Sequence, residues 1–292
     1  MATGLYELIR GYNGNKELTA EVIDLYLSSN DIPHKDRERL LKLGEELKFW
    51  EEYGEIYFNL EKARPYKNLL HTFKDFCLPK TGDIWLDVGS GPLNVSELIY
   101  KKSEGKVKSI EAIDVVLGPA REKLARFNQL GISLPINLRY ASITDHLLYP
   151  KNYFDGIGAN LILSYVIDFC GKQGREALVG VLQEMLRVLK PGGHLVWSTP
   201  KSGVNFFWVF LASIPDMLNP SAFFSGDNRI SQGIRIFKHA LEIQRKGKRG
   251  IYTFLSRKEL EALLSSIGFI NPAWEKSFAK QVWINRVYKP VV

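Results

Sequence analysis

The stretch Asp83-Ile-Trp-Leu-Asp87-Val-Gly89-Ser90-Gly91-Pro92-Leu93-Asn94 runs from an apolar strand through two glycines into a helix. A parallel strand that ends in Gly-x-Gly delivers its loop to the carboxyl edge of a sheet, where open α/β folds bind ligands. Glycine lacks a Cβ, so the backbone can approach a bound molecule closely. Asp114 closes the next strand, 23 residues beyond Gly91. A carboxylate there can accept hydrogen bonds from both hydroxyls of a ribose. Two residues argue against a dinucleotide: Asn94 stands where Gly-x-Gly-x-x-Gly has its third glycine, and Asp87 would repel a pyrophosphate. An acid at that point suits a nucleoside carrying a cationic amine.

Proton transfer has three candidate side chains, His146, Tyr165 and His239, each with an ordinary packing role as its alternative. Phe207 and Trp208, in the apolar run 206–211, and Phe224 beyond it are candidates to line an apolar acceptor. That run is far shorter than the roughly 20 residues needed to cross a bilayer. Between Arg229 and Arg249 seven basic residues face Glu242 alone. Three readings stand side by side: a lid over the acceptor, a face that touches anionic membrane through 204–249, and a solvated surface without a partner. Cys77 and Cys170 lie far apart and fit no metal-ligand or disulfide spacing, so no metal is expected and a reducing compartment is.

The elements that must carry these groups follow from hydrophobic texture. Apolar runs recur at 84–88, 109–114, 136–140, 154–159 and 194–199, with helix-length stretches at 119–130 and 176–189. Such alternation predicts a parallel sheet covered on both faces. Upstream the spacing predicts helices over 17–28, 39–60 (capped by Asn30 or Asp31) and, with Pro65 in its first turn, to Phe76. Ser256 and Glu259 form a capping box that opens a helix through Ser266, and Gly268 ends it. Strand texture returns at 269–275 and 281–288. The expected organisation is an N-terminal helical cap (1–78), a ligand-binding core (79–200), an acceptor-site insertion or lid (201–250), and a helix with a strand pair completing the core sheet (251–292).

With 45% hydrophobic and 24% charged residues in a chain of 292, disorder, collagen-like repeats and a disulfide scaffold are excluded. The net charge of +7 invites a nucleic-acid or membrane partner. Its location is narrower: basic and acidic residues number 13 and 12 over 83–200, but 14 and 6 over 201–292. Aromatic and basic blocks follow one another rather than interleave, so no nucleic-acid partner is expected. The opening residues lack an apolar signal core, which predicts a cytoplasmic protein.

These motifs resemble those of class I S-adenosylmethionine-dependent methyltransferases, in particular the type 11 small-molecule group that includes the ubiquinone and menaquinone methyltransferases. Residues 154–168 are similar to the fourth-strand motif, 186–197 to the helix–turn–fifth-strand signature, and 139–145 to the adenine-side segment. The likeness spans 80–200 and, more weakly, 250–290. It implies an α/β fold with a Rossmann-like seven-stranded sheet, helices on both faces and the insertion after strand 5. It also implies S-adenosyl-L-methionine as cofactor, S-adenosyl-L-homocysteine as product, and a small acceptor, apolar or aromatic.

Residue by residue, the resemblance puts Asp87, Gly89, Ser90 and Gly91 around the methionine moiety, with Asp87 facing its ammonium. It puts Asp114 on the ribose and Val115 beside the adenine. Ser142 and Ile143 fall at the adenine edge, with Asp145 replacing an acid common there, and Asn160 and Leu161 near the sulfonium. Tyr57 and Arg64 could close over the methionine end. Ser164-Tyr165 falls where many relatives carry His-His, so that pair's acid–base role is not transferred. The alternative is an RNA methyltransferase, or a nucleic-acid-binding protein of the same fold. Against it, Leu-Ile-Leu follows Asn160 in place of the Asn-Pro-Pro-Tyr type tetrad of many base methylases.

Overall fold

The computed structural model describes residues 17–30, 32–218 and 229–291, with the side chains of 55–59, 217 and 229–230 left out. Helices α1 (Ala20–Ser29), α2 (His34–Leu60) and α3 (Arg64–Phe76) precede strand β1 (Ile84–Val88). Then come α4 (Asn94–Lys102), β2 (Ser109–Asp114), α5 (Gly118–Gln129), β3 (Ile136–Tyr140) and β4 (Phe154–Asn160). After α6 (Gly174–Val188) and β5 (Leu189–Pro200) lie α7 (Phe207–Met217) and α8 (Arg229–Lys248). The chain closes with α9 (Arg257–Ile267), β6 (Ile270–Ser277) and β7 (Val282–Tyr288).

The strands form one sheet in the order β3-β2-β1-β4-β5-β7-β6. Strands β1 to β5 are parallel, and β7 runs antiparallel to both its neighbours. The seven-stranded, doubly covered sheet read from the sequence is therefore the observed one. The order reverses between β1 and β4, and that switch point opens the crevice into which the glycine loop projects. One face carries α6 and α9, whose Leu178, Leu182 and Leu260 pack with Leu86, Ile157 and Trp197. On the other, Tyr66, Leu69 and Phe73 of α3 and Val95 and Ile99 of α4 pack against Trp85, Ile110 and Val196.

Sequence-derived helix ends shift by a few residues. Thr19 caps α1 by accepting from the Val22 N–H, whereas Asn30 donates back to the Tyr26 carbonyl and caps nothing downstream. Asp31, its alternative, lies outside the described residues. The Ser256–Glu259 capping box and the left-handed Gly268 end α9 as expected. Of the segment read from sequence as a helical cap, α2 crosses above the carboxyl ends of the strands. It turns Leu43, Glu46, Leu47, Trp50, Tyr53 and Gly54, spaced three or four apart on one helical face, toward the glycine loop. Arg39 anchors it by a bidentate pair to Asp168 (2.8 and 3.1 Å) in the short hairpin after β4.

Candidate active site

Between α2 and the strand ends lies a cavity of about 1370 Å³, its open mouth included. Gly89, Ser90, Gly91, Asp114 and Val115 line it, as do Ser142, Ile143, Asn160 and Leu161. Nine of the ten residues assigned to the cofactor from sequence thus share one wall; Asp87 sits behind it.

The two glycines serve different ends. Gly89 (φ +64°) leaves no room for a side chain, since an added Cβ would lie 2.6 Å from Ile162. Gly91 (φ +45°) faces open space, with no atom within 4 Å of where its Cβ would stand. Asp114 holds this turn through its carboxylate, which accepts from Gly91 N (2.7 Å) and Val116 N (2.9 Å). Burial raises its pKa against those bonds. Both oxygens keep a second lone pair for further donors.

Asp87 is buried in β1, and one of its carboxylate oxygens accepts from Ser96 N (2.9 Å) and Ser96 Oγ (2.6 Å) in the first turn of α4. The other has no hydrogen-bond partner among the described residues, and burial pushes the carboxyl up to about 7. Ser90 Oγ, in the cavity wall, is likewise buried and unpartnered. A buried polar atom without a partner is costly; Ser90 belongs to the cavity lining, whereas the unpartnered Asp87 oxygen lies behind it.

Asn160 and Leu161 are fixed by one buried hydroxyl. Ser198 Oγ donates to Asn160 Oδ1 (2.6 Å) and accepts from Leu161 N (2.8 Å), which holds Leu161 in a left-handed conformation. Asn160 Nδ2 donates to Tyr66 Oη (3.1 Å). Asn94, in place of a third glycine, donates to Glu61 (2.6 Å) and accepts from Lys123 (2.8 Å), tying α4 to the chain before it and to α5.

Of the three base candidates, Tyr165 alone lines a cavity. Its ring packs on Trp50 (5.4 Å) and Tyr252 (5.0 Å), and burial drives its pKa well up. It is therefore a neutral hydroxyl. His146 turns outward, with Nδ1 2.8 Å from Glu184 on α6, and His239 packs between Phe49 and Tyr53 without entering either lining. Asp145 is fully buried and also stays off the cavity. Arg64 is mostly exposed beside Asp216, which accepts from the Arg64 N–H (2.7 Å) at the start of α3, so it does not close over the site. The Tyr57 side chain lies outside the described ones.

A second cavity, about 920 Å³ with its mouth, adjoins the first and shares Tyr53, Leu161, Tyr165 and Ile243 with it. Phe206, Val209, Phe210, Ile236 and Phe237 from α7, α8 and the turn before α7 wall it. Phe207 and Trp208 do not: they stand on the outer face, 46% and 56% exposed. The physical reason is helical register, since 206, 209, 210 and 213 share the inner face while 207 and 208 face away. Phe224 lies outside the described residues. Sequence reasoning missed Trp50 and Tyr53 of α2 and Tyr66 of α3; the three-four spacing on α2 was the signal for the first two, indistinguishable there from core packing.

Residues 59–271 match a methyltransferase-domain family, and the chain belongs to it. It is a methyltransferase by that family. No curated protein matches it in sequence. Among solved structures, an O-methyltransferase family protein from Burkholderia thailandensis is similar at TM-score 0.54 and 12% identity, covering 84% of this chain and 63% of that one. Phosphoethanolamine N-methyltransferase 2 from Haemonchus contortus, in complex with phosphomonomethylethanolamine and S-adenosylhomocysteine, is similar at TM-score 0.50 and 14% identity, over 76% and 52% of the two chains. At these identities the likeness speaks for the fold.

Proposed function

We propose that this enzyme methylates a small, predominantly apolar acceptor held between α2, α7 and α8. The observation that carries it is the second cavity, walled by aromatic and aliphatic side chains and joined to the first through Tyr53, Leu161, Tyr165 and Ile243. A pocket of that make-up binds a compact apolar body and orients it with few polar contacts.

In this reading Gly91 gives the cofactor close backbone approach, Ser90 Oγ and Asp87 meet the polar groups of its methionine end, and Asp114 accepts from its ribose. Ser142 and Ile143 border the adenine. When bound, the cofactor supplies a methyl group already activated by the sulfonium charge, so the protein's share is alignment. Orientation of this kind can lower a barrier by roughly 7–11 kcal/mol. The Ser198–Asn160–Tyr66 chain fixes the passage between the cavities, and α2 excludes water from it. Neither lining contains a histidine among the described residues, and Tyr165 is a neutral hydroxyl. The carboxylates in the linings, among the described residues, are Asp216, Glu46 and Asp114, and the reading favours an acceptor atom with a free lone pair, as in a carboxylate, a neutral amine or an ionised phenol.

Calorimetry with S-adenosylmethionine tests the cofactor assignment. Asp114→Ala removes hydrogen bonds to a charged group, each worth about 1.5–3 kcal/mol, so affinity should fall roughly 10- to 100-fold. Unchanged affinity overturns the assignment. Turnover on a panel of lipophilic carboxylates, amines and phenols then tests the acceptor class, and activity confined to RNA would overturn it. A contact with anionic membrane through the outer face of α7 and α8 is a second part of this proposal, supported by exposed Phe207 and Trp208 beside exposed Arg235 and Lys238.

A further inference from the structure

The connection after β3 and the hairpin after β4 bring together three side chains that the methyl-transfer site does not use. A carboxylate oxygen of Asp145, a ring nitrogen of His146 and Cys170 Sγ all lie within 4.8 Å of one another. Sγ and Asp145 Oδ1 are 3.2 Å apart. Donors touching one tetrahedral zinc ion, at about 2.0–2.3 Å each, sit about 3–4 Å from one another, so the cluster needs only small side-chain shifts to close on an ion. We propose that Asp145, His146 and Cys170 form a zinc site, with water in the fourth position.

The surroundings supply what such a site requires. Glu184, buried on α6, takes His146 Nδ1–H at 2.8 Å and is itself fixed by the Arg187 guanidinium and the Leu147 N–H. A carboxylate on one ring nitrogen leaves Nε2 as the lone-pair donor and orients the ring, the arrangement that supports metal-bound histidines. Phe169 packs edge-on against the same ring at 5.4 Å. A mixed N, O and S donor set suits zinc rather than magnesium or calcium. The His146 side chain is 60% exposed, which gives the ion a path in.

Occupancy would act on the cofactor cleft without touching the reacting atoms. Cys170 N already donates to the Thr144 carbonyl (2.9 Å), and Ser142, Ile143 and Thr144 line the first cavity. An ion at Asp145, His146 and Cys170 would lock that loop to the hairpin, and the hairpin is pinned through Asp168 to Arg39 of α2. Loop and roof would then be held by one ligand-dependent clasp. This inference stands apart from the methyl-transfer reading, because its readout is metal binding.

The test strips the full-length protein with a chelator and titrates it with Zn²⁺, and separately with Co²⁺, in competition with a metal-sensitive dye. One equivalent of Zn²⁺ should bind and raise the thermal midpoint. Co²⁺ should give a thiolate-to-metal charge-transfer band in the near ultraviolet. Cys170→Ser should lose the band, and Asp145→Asn should lose stoichiometric zinc. Glu184→Gln should weaken affinity roughly 10- to 100-fold, as for other outer carboxylates. S-adenosylmethionine affinity and circular dichroism report whether each variant folds. No stoichiometric binding overturns the proposal. So does a cobalt spectrum without the thiolate band, or wild-type zinc affinity in a folded Cys170→Ser.

Discussion

In the proposed reading, where Asp87 faces the cofactor's ammonium, its carboxyl couples cofactor binding to pH. Burial holds its carboxyl at about 7, against two hydrogen bonds from Ser96 that pull the other way. Below that value it is neutral and offers a cationic amine little; above it the unpartnered oxygen carries charge. Affinity for S-adenosylmethionine should therefore rise as pH passes from 6 to 8, with proton release visible as buffer-dependent binding heat. Asp87→Asn should bind more weakly and flatten the profile. Stability of the ligand-free enzyme moves the opposite way. The folded state keeps a proton that the unfolded chain has lost above about pH 4, so this group makes stability fall between about 4 and 7. A thermal midpoint that falls less steeply in Asp87→Asn checks the sign. The glycines divide in the same manner. Gly89→Ala drives a Cβ to 2.6 Å from Ile162 on top of the strain of a positive φ and should lower the denaturation midpoint further than Gly91→Ala, which carries the strain of its own positive φ but meets no atom and should in addition cost cofactor affinity. The sequence marks both as Gly-x-Gly. It cannot separate them, because Ile162 lies 73 residues further on.

At the scale of elements, α7 shows what an apolar run hides. Phe206 to Leu211 has no polar residue to mark an outer face, so sequence alone cannot tell which aromatics turn inward. Packing decides: Phe210 packs at a tilt on Phe237 of α8 at 4.5 Å, and the register puts Phe207 and Trp208 outside. Phe210→Ala should raise the acceptor KM while leaving cofactor affinity intact, and Phe207→Ala and Trp208→Ala should leave that KM unchanged. Steady-state kinetics on the best acceptor distinguishes them, and the reverse ranking would sink the inner-face assignment. Elements governed by local signals were legible by contrast. The strands announce themselves by short apolar runs between turns, and α9 by a capping box that closes within four residues. The roof formed by α2 was not, because its role depends on where the helix lies over the sheet. Its spacing of three and four states only that one face is covered.

For the whole molecule, the question is where the basic excess points. It does not lie uniformly in solvent: Lys246 is turned inward, 2.5 Å from Glu46 of α2 and 4.3 Å above the Phe49 ring, while Tyr252 donates to the same carboxylate at 2.6 Å. That knot ties insertion to roof and belongs to the architecture of the site. Arg235, Lys238, Arg245, Lys248 and Arg249 remain exposed, with Glu242 the one acid exposed among them on α8. Phe207, exposed on α7, meets Phe237 of α8 at 6.5 Å. No helix among the described residues is long and apolar enough to cross a membrane. Each exposed cation near an anionic surface contributes about 1 kcal/mol, screened over about 8 Å at physiological salt. The protein should float with vesicles containing phosphatidylserine at low salt, release as salt rises, and ignore neutral vesicles. Arg235→Glu with Lys238→Glu should abolish flotation, and Trp208→Ala should weaken it, with acceptor turnover in detergent unchanged in both. Flotation that survives the charge reversal would refute the electrostatic contact. Absence of flotation with intact turnover would make this face plain solvated surface, and the acceptor would then enter from water.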